Sequence, residues 1–265
     1  MKGEKIKMLS LKEKVVLITG ASSGIGMACA KSFASLGANL LLGARRIDRL
    51  KDLTREIQET CSVDVFPIKM DVTDFKELEK SLLGLPEEWK KVEILINNAG
   101  LSARLDKVYD ADIEDWDTMI DTNVKGLLYV TRLILPGMIE RNRGHVVNLG
   151  SIAGSGAYPG GNVYCASKAA VRMLSQAMRM DLFPKSIRVT HIDPGMTKTE
   201  FSLVRWKGDQ ALADKTYEGV DYLTAEDVAE VILFCVTRPS HVNIGELVIT
   251  PVDQVSFTQV NRKSK

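Results

Sequence analysis

The chain alternates short, unbroken apolar runs with longer segments whose apolar positions recur every three to four residues. The runs are VVLIT after Lys14, NLLLG at 39–43, VDVFPIK at 63–69, VEILI at 92–96, HVVNL at 145–149, IRVTHID at 187–193 and GELVI at 245–249. Runs of this length, rich in Val, Ile and Leu, predict strands buried on both faces, as in a parallel sheet. Helical periodicity between them predicts helices over 24–36, 48–60, 74–83, 112–141, 162–183 and 224–237. Pro136-Gly137 predicts a kink or break within the fourth of these. Seven strands alternating with helices predict one right-handed, doubly wound α/β domain over residues 1–265. Its core spans 10–250, and 251–265 reads as a polar tail.

Composition narrows the class. Of 265 residues, 45% are hydrophobic and 26% charged, which suits a globular domain with a well-buried core. A net charge of +1 supplies no field for nucleic acid or an anionic membrane. The basic tail Arg262-Lys263-Ser264-Lys265 is too short to change that. The opening MKGEKIKMLSLKEK lacks the apolar run of a signal peptide, and no stretch reaches the ~18 apolar residues of a membrane span. Cys29, Cys61, Cys165 and Cys235 are scattered without zinc-type spacing, so free thiols in the cytoplasm and no metal are expected. Cys165 reads as a small helix residue. The expected partner is a small molecule, with no nucleic acid and no membrane.

The candidate chemistry begins after the first strand, at TGASSGIG (Thr19–Gly26). Strand, glycine-rich turn and helix in that order are the context of a dinucleotide-binding loop. Gly20, Gly24 and Gly26 let the backbone turn and approach a pyrophosphate, and the helix start at Ser22, Ser23 and Ile25 offers unpaired N–H groups. The second strand ends in Ala44-Arg45-Arg46, where an NAD site usually has a carboxylate for the ribose 2′-hydroxyl. Guanidinium groups suit a 2′-phosphate instead, so NADP is expected, with Arg45 the principal contact, Arg46 secondary and Ser22 contributing a hydroxyl. Arg46 can equally solvate the start of the next helix.

The stretch SIAGSGAYPGGNVYCASK carries a hydroxyl at Ser151, a phenol at Tyr164 and an ammonium at Lys168. On a helix, Tyr164 and Lys168 lie one turn apart on one face. A free Tyr titrates near 10, so proton abstraction at neutral pH needs a pKa ~3 units lower, or roughly 4 kcal/mol of differential stabilisation. An adjacent Lys and a cationic nicotinamide ring are a natural source of it. Ser151 then holds the substrate oxygen against Tyr164.

In order and spacing, TGASSGIG, NNAG (Asn97–Gly100), Tyr-x-x-x-Lys and DPG (Asp193–Gly195) resemble the short-chain dehydrogenase/reductase family over essentially the whole chain. LPEEW (85–89), EDWDTMIDTN (114–123), ILPGMIERNRGHVVNLGS (134–151), GGNVY (160–164) and TEFSLVRWKGD (199–209) are similar to its NADP-dependent 3-hydroxy acid dehydrogenases, the serine and allo-threonine group. The resemblance implies a Rossmann-type fold, hydride transfer at the β-hydroxyl carbon of serine, allo-threonine or 3-hydroxyisobutyrate-like acids or the reverse reduction, and a homotetramer. A broad carbonyl reductase and a non-catalytic NADP sensor are the alternatives.

It further implies that Asp71 bonds the adenine amino group and Val72 packs on the ring, although Asp71 can also cap the following helix. Asn98, Ala99 and Gly100 line the coenzyme ribose, with Asn97 locking neighbouring loops. Asn123 kinks its helix and holds a water for Lys168; the residues alone read equally as a satisfied core amide. Lys168 lowers the Tyr164 pKa and binds the ribose. Pro194, Gly195 and Thr199 follow the family's PG-x-x-x-T pattern, in which the Thr bonds the carboxamide, and Thr197 stands where an aliphatic residue is usual. Residues 200–218 become a mobile substrate cover, and 250–265 an intersubunit arm. Val171, Leu174, Met178 and the 127–135 run are expected at a helix-to-helix dimer face. A carboxylate substrate needs a cation, for which Arg205 is the candidate and Arg104 the runner-up.

Overall fold

The computed structural model describes residues 10–263. The reading of the first residues as free of a signal peptide, and of Ser264-Lys265 as tail, lies outside that range. Seven strands form one sheet in the order β3-β2-β1-β4-β5-β6-β7, every neighbouring pair parallel. They are β1 Val15–Thr19, β2 Asn39–Ala44, β3 Val65–Lys69, β4 Val92–Asn97, β5 Gly144–Leu149, β6 Ile187–Pro194 and β7 Glu246–Ile249.

The pleat sends alternate residues to opposite layers. Val16 and Ile18 face a layer containing α1 (Gly24–Ser35), α2 (Ile47–Thr60) and α9 (Ala225–Val236). Val15 and Leu17 face one containing α3 (Phe75–Leu83), α5 (Leu127–Glu140) and α6 (Asn162–Asp181). Both faces being covered is why the strands read as continuous apolar runs. Strand order reverses between β1 and β4, so their C-terminal ends open the crevice in which doubly wound sheets bind ligands.

The expected 112–141 helix is three pieces: α4 (Ile113–Ile120), a π-helical turn (Asp121–Gly126) and α5. Pro136 does not break it, since α5 continues through to Glu140. Residues 200–218, expected as a substrate cover, are mostly helical. They form α7 (Phe201–Arg205) and α8 (Gln210–Tyr217), pinned where Ser202 Oγ donates to Tyr217 Oη (2.7 Å), which donates to the Thr197 carbonyl (3.0 Å).

Part of the expected helix-to-helix face lies inside the chain. Val171 and Met178 are buried in the chain's own core, as are Leu127 and Val130, because α5 and α6 pack directly onto the sheet. Exposed apolar side chains nearby include Leu128 and Ile139 of α5, and Met173, Met180 and Phe183 in and just after α6. The tail also packs on its own chain. Asp253 accepts from the Asp221 backbone (2.9 Å), and Arg262 donates to the Glu218 carbonyl (2.6 Å). Among the described residues no helix is long and apolar enough to cross a membrane.

Candidate active site

One cleft of about 570 Å³ opens over the C-terminal ends of β1, β4, β5 and β6. Its coenzyme-facing end is built on the glycine loop. Gly20 and Gly24 hold φ of +65° and +53°, a conformation that side chains rarely adopt. At Gly26 a Cβ would lie 2.5 Å from both Asn98 Nδ2 and the Gly20 carbonyl. Asn98 explains the crowding: its Nδ2 donates to the Thr19 and Gly20 carbonyls (2.8 and 3.2 Å), fastening the loop to the end of β4. The Thr19 hydroxyl accepts from the Asn98 and Ala99 backbones (3.0 Å each). Asn97 lies behind them, donating to Thr131 and Asn148.

Ser22, Ser23, Ile25, Arg45, Arg46, Asp71 and Val72 all line this end. Asp71 does not cap α3; Asp74 does, accepting from the Glu77 backbone (3.0 Å), while Asp71 holds Thr73 in a tight turn. Arg45 is exposed, and its guanidinium has no hydrogen-bond or ion-pair partner among the described residues. Arg46 lies across the loop instead, bonding Ser22, Ser23 and Glu200. Pro194, Gly195, Thr197 and Thr199 form the opposite wall, with Thr199 seated against Gly24.

β5 delivers Ser151, and α6 delivers Tyr164 and Lys168 one turn apart. Ser151 caps a short 3₁₀ turn (Ile152–Gly154), and its backbone N–H donates to Asp193 Oδ1 at 2.7 Å. Its hydroxyl hydrogen-bonds the Tyr164 phenol. Gly100 leaves room for Asn123 and Lys168 to converge: a Cβ there would lie 3.2 Å from Asn123 Oδ1 and 3.4 Å from Lys168 Nζ. Asn123 sits in the π-helical turn, a feature frequent at functional sites. Its amide is fully engaged, clamping both backbone groups of Leu101 (2.9 and 2.8 Å) and donating to Ser167 (3.0 Å).

The chain's own groups favour the neutral phenol. Burial pushes the Tyr164 phenol up to about 12, against which the Arg205 charge and the Ser151 hydrogen bond pull down. Lys168 donates to the Leu149 carbonyl at 2.8 Å and stands 6.0 Å from the Tyr164 ring centre. Burial lowers Lys168 itself to about 8, opposed by the Asp193 charge. The cation pulling on Tyr164 is therefore Arg205, whose guanidinium lies 5.5 Å over the Tyr164 ring and 5.1 Å from Phe201. Its buried Nε has no hydrogen-bond partner. Arg104 is exposed, at φ +37°, and only its backbone reaches Arg205.

Sequence reasoning missed much of this wall. The tail returns over the cleft, where Gln254 Oε1 accepts from the Met196 backbone (2.6 Å) and Phe257 stacks on Tyr158 at 4.9 Å. A single aromatic in a polar tail carries no periodicity to mark it. Glu200 and the buried His191–Asp193 pair (2.8 Å) behind Ser151 also escaped notice; the odd charge in a β6 run expected to be buried was the available signal.

The short chain dehydrogenase family model matches residues 14–209. The NADP-dependent 3-hydroxy acid dehydrogenase YdfG of Salmonella typhi is 46% identical over 241 residues, covering 91% of this chain and 96% of that one. Sulfoacetaldehyde reductase 2 of Chromohalobacter salexigens is 46% identical, covering 91% and 95%. The closed form of a serine dehydrogenase complexed with NADP⁺ superposes with a TM-score of 0.89 at 45% identity, over 95% of this chain and 100% of that one. The chain belongs to the short-chain dehydrogenase family.

Proposed function

We propose that the chain interconverts small 3-hydroxy acids of the serine, L-allo-threonine and 3-hydroxyisobutyrate type with their carbonyl forms. It is an oxidoreductase acting on a CH–OH group, and its coenzyme is NADP. The glycine cradle fits that coenzyme, since side chains at Gly20, Gly24 or Gly26 would be strained or would collide with the loop that must approach a pyrophosphate. When bound, the coenzyme supplies the carbon that accepts or gives hydride.

The remaining work falls to the chain. Ser151 and Tyr164 hold the substrate oxygen, and Tyr164 passes a proton to or from it. Lys168 offers an ammonium to the coenzyme ribose, and Asn123 fixes the backbone beside it. The observation that carries the substrate class is Arg205, a half-buried cation with an unpaired Nε, stacked on the catalytic phenol. An acid group within reach of both Arg205 and Tyr164 lies only a few bonds from the reacting carbon. The names of the three relatives all specify substrates bearing such a group.

Initial rates with NADP and NAD on L-serine, D-serine, L-allo-threonine, 3-hydroxyisobutyrate and a neutral secondary alcohol test this. Turnover of the acids, with Arg205→Ala raising their KM by about 10- to 100-fold, is expected from loss of a desolvated charge contact. Turnover of the neutral alcohol alone makes the chain a general carbonyl reductase. We also propose self-association to a homotetramer through the end of α6, where Met173, Met180 and Phe183 are 64%, 78% and 83% exposed. A monomer by light scattering removes that reading.

A further inference from the structure

Glu200 lies at the junction of the two ends of the cleft, immediately before α7. Its two carboxylate oxygens are divided between two arginines of the α2 start: Oε2 takes Arg46 Nη1 at 2.9 Å, and Oε1 takes Arg49 Nη1 at 2.6 Å. The rest of Arg46 faces the glycine loop, with Nε and Nη2 on the Ser22 hydroxyl and Nη2 on the Ser23 hydroxyl. Two hydroxyls and a guanidinium gathered at the end of β2 are the donor set a 2′-phosphate calls for.

We propose that Glu200 is an internal anion competing with the coenzyme's 2′-phosphate for Arg46, and thereby sets both NADP affinity and the hold on the substrate wall. This rests on Arg46 being a 2′-phosphate ligand. The geometry sets up the competition. Arg46 has five N–H donors in a fixed fork; Nε and Nη2 are committed to the two serines, so a further anion must share the Nη1 end with Glu200, which already holds one of its two N–H groups. A phosphate dianion beside an ionised Glu200 also meets like-charge repulsion. The pairing with both arginines pulls the Glu200 carboxyl down against the effect of its burial, so it is ionised at neutral pH.

The exchange has a mechanical consequence. Glu200 directly precedes Phe201, and α7 carries Phe201 and Arg205, the two side chains that cover Tyr164. While Glu200 is on Arg46 and Arg49, α7 is tied to α2. A 2′-phosphate on Arg46 removes one of those ties, and NAD, which has only a hydroxyl there, leaves both in place. Coenzyme choice and the position of the acid-binding wall are then read by one carboxylate.

The probes are adenosine 2′,5′-bisphosphate and 5′-AMP, whose binding is measured by calorimetry on the full chain without any turnover. Partly exposed ion pairs are each worth a factor of about 2 to 5 in an equilibrium, so Glu200→Gln is expected to tighten the bisphosphate by about 3- to 10-fold. 5′-AMP is expected to change by less than about 2-fold, which also reports that the variant is folded. Arg46→Ala is expected to weaken the bisphosphate by about 10-fold or more, as for loss of a guanidinium on a phosphate. In the Arg46→Ala background the Glu200→Gln gain should vanish.

An unchanged or weaker bisphosphate affinity in Glu200→Gln, with Arg46→Ala still damaging, overturns the competition while keeping Arg46 as ligand. An equal gain in both backgrounds overturns it in favour of a general charge effect. Arg46→Ala without consequence overturns the placement of the phosphate itself.

Discussion

At the β1–β4 end of the cleft, one asparagine ties the glycine loop to two backbone carbonyls, and the residues around it have no room to move. At the β6–β7 end the wall is a helix of 5 residues, another of 8 and a returning tail, joined by side-chain hydrogen bonds. The first end is fixed by main-chain geometry, which admits few substitutions. The second is fixed by replaceable side chains, which suits a part that selects among substrates.

The comparison can be broken most sharply where the halves meet. Tyr164→Phe removes the proposed proton carrier and little else from the packing, so kcat is expected to fall by about 10²- to 10⁴-fold with NADPH affinity unchanged. Stopped-flow fluorescence of bound NADPH alongside steady-state rates checks it, and preserved kcat would remove Tyr164 from the chemistry.

Gly26→Ala tests the rigid end. Its Cβ would meet the Asn98 amide and the Gly20 carbonyl at 2.5 Å, so loss of about 2–4 kcal/mol of stability is expected together with loss of coenzyme binding. A melting curve matching the parent chain would show the loop to be looser than Asn98 implies.

Lys168 gives a pH-dependent test. Burial depresses its pKa from 10.5 to about 8, so the native chain binds fewer protons than the unfolded chain between those values. The cost of the buried ammonium is fully present below pH 8 and is relieved as pH rises toward 10.5. Lys168→Met is accordingly expected to raise the unfolding free energy by about 2–3 kcal/mol at pH 7, with no gain above pH ~10.5. Urea unfolding at the two pH values decides it; a gain that persists at the higher pH would come from packing instead.

The smallest effect is expected at the replaceable wall. Phe257→Ala removes the stack on Tyr158 and should raise substrate KM about 2- to 5-fold, with kcat and stability nearly unchanged. A loss of kcat as large as that of Tyr164→Phe would mean the tail is not a separable wall.

The sequence by itself determined the sheet, its seven strands and the order of its chemistry. Unbroken apolar runs have one way to be buried, between two layers of helices, and the sheet's C-terminal edge then collects the glycine loop, Ser151, Tyr164 and Lys168. Those residues were legible because each belongs to a local pattern: a strand, a tight turn, or a helix repeat. Only the tertiary structure decided what distant segments do to one another. That Arg205 joins Lys168 over the Tyr164 ring, that Arg46 lies on Glu200, and that Phe257 lines the cleft all depend on contacts between elements far apart in the chain. The protonation of Tyr164 among the chain's own groups is set in the same way. Its pKa is governed by how completely the surrounding elements exclude water, and burial here outweighs the charge that local spacing could reveal.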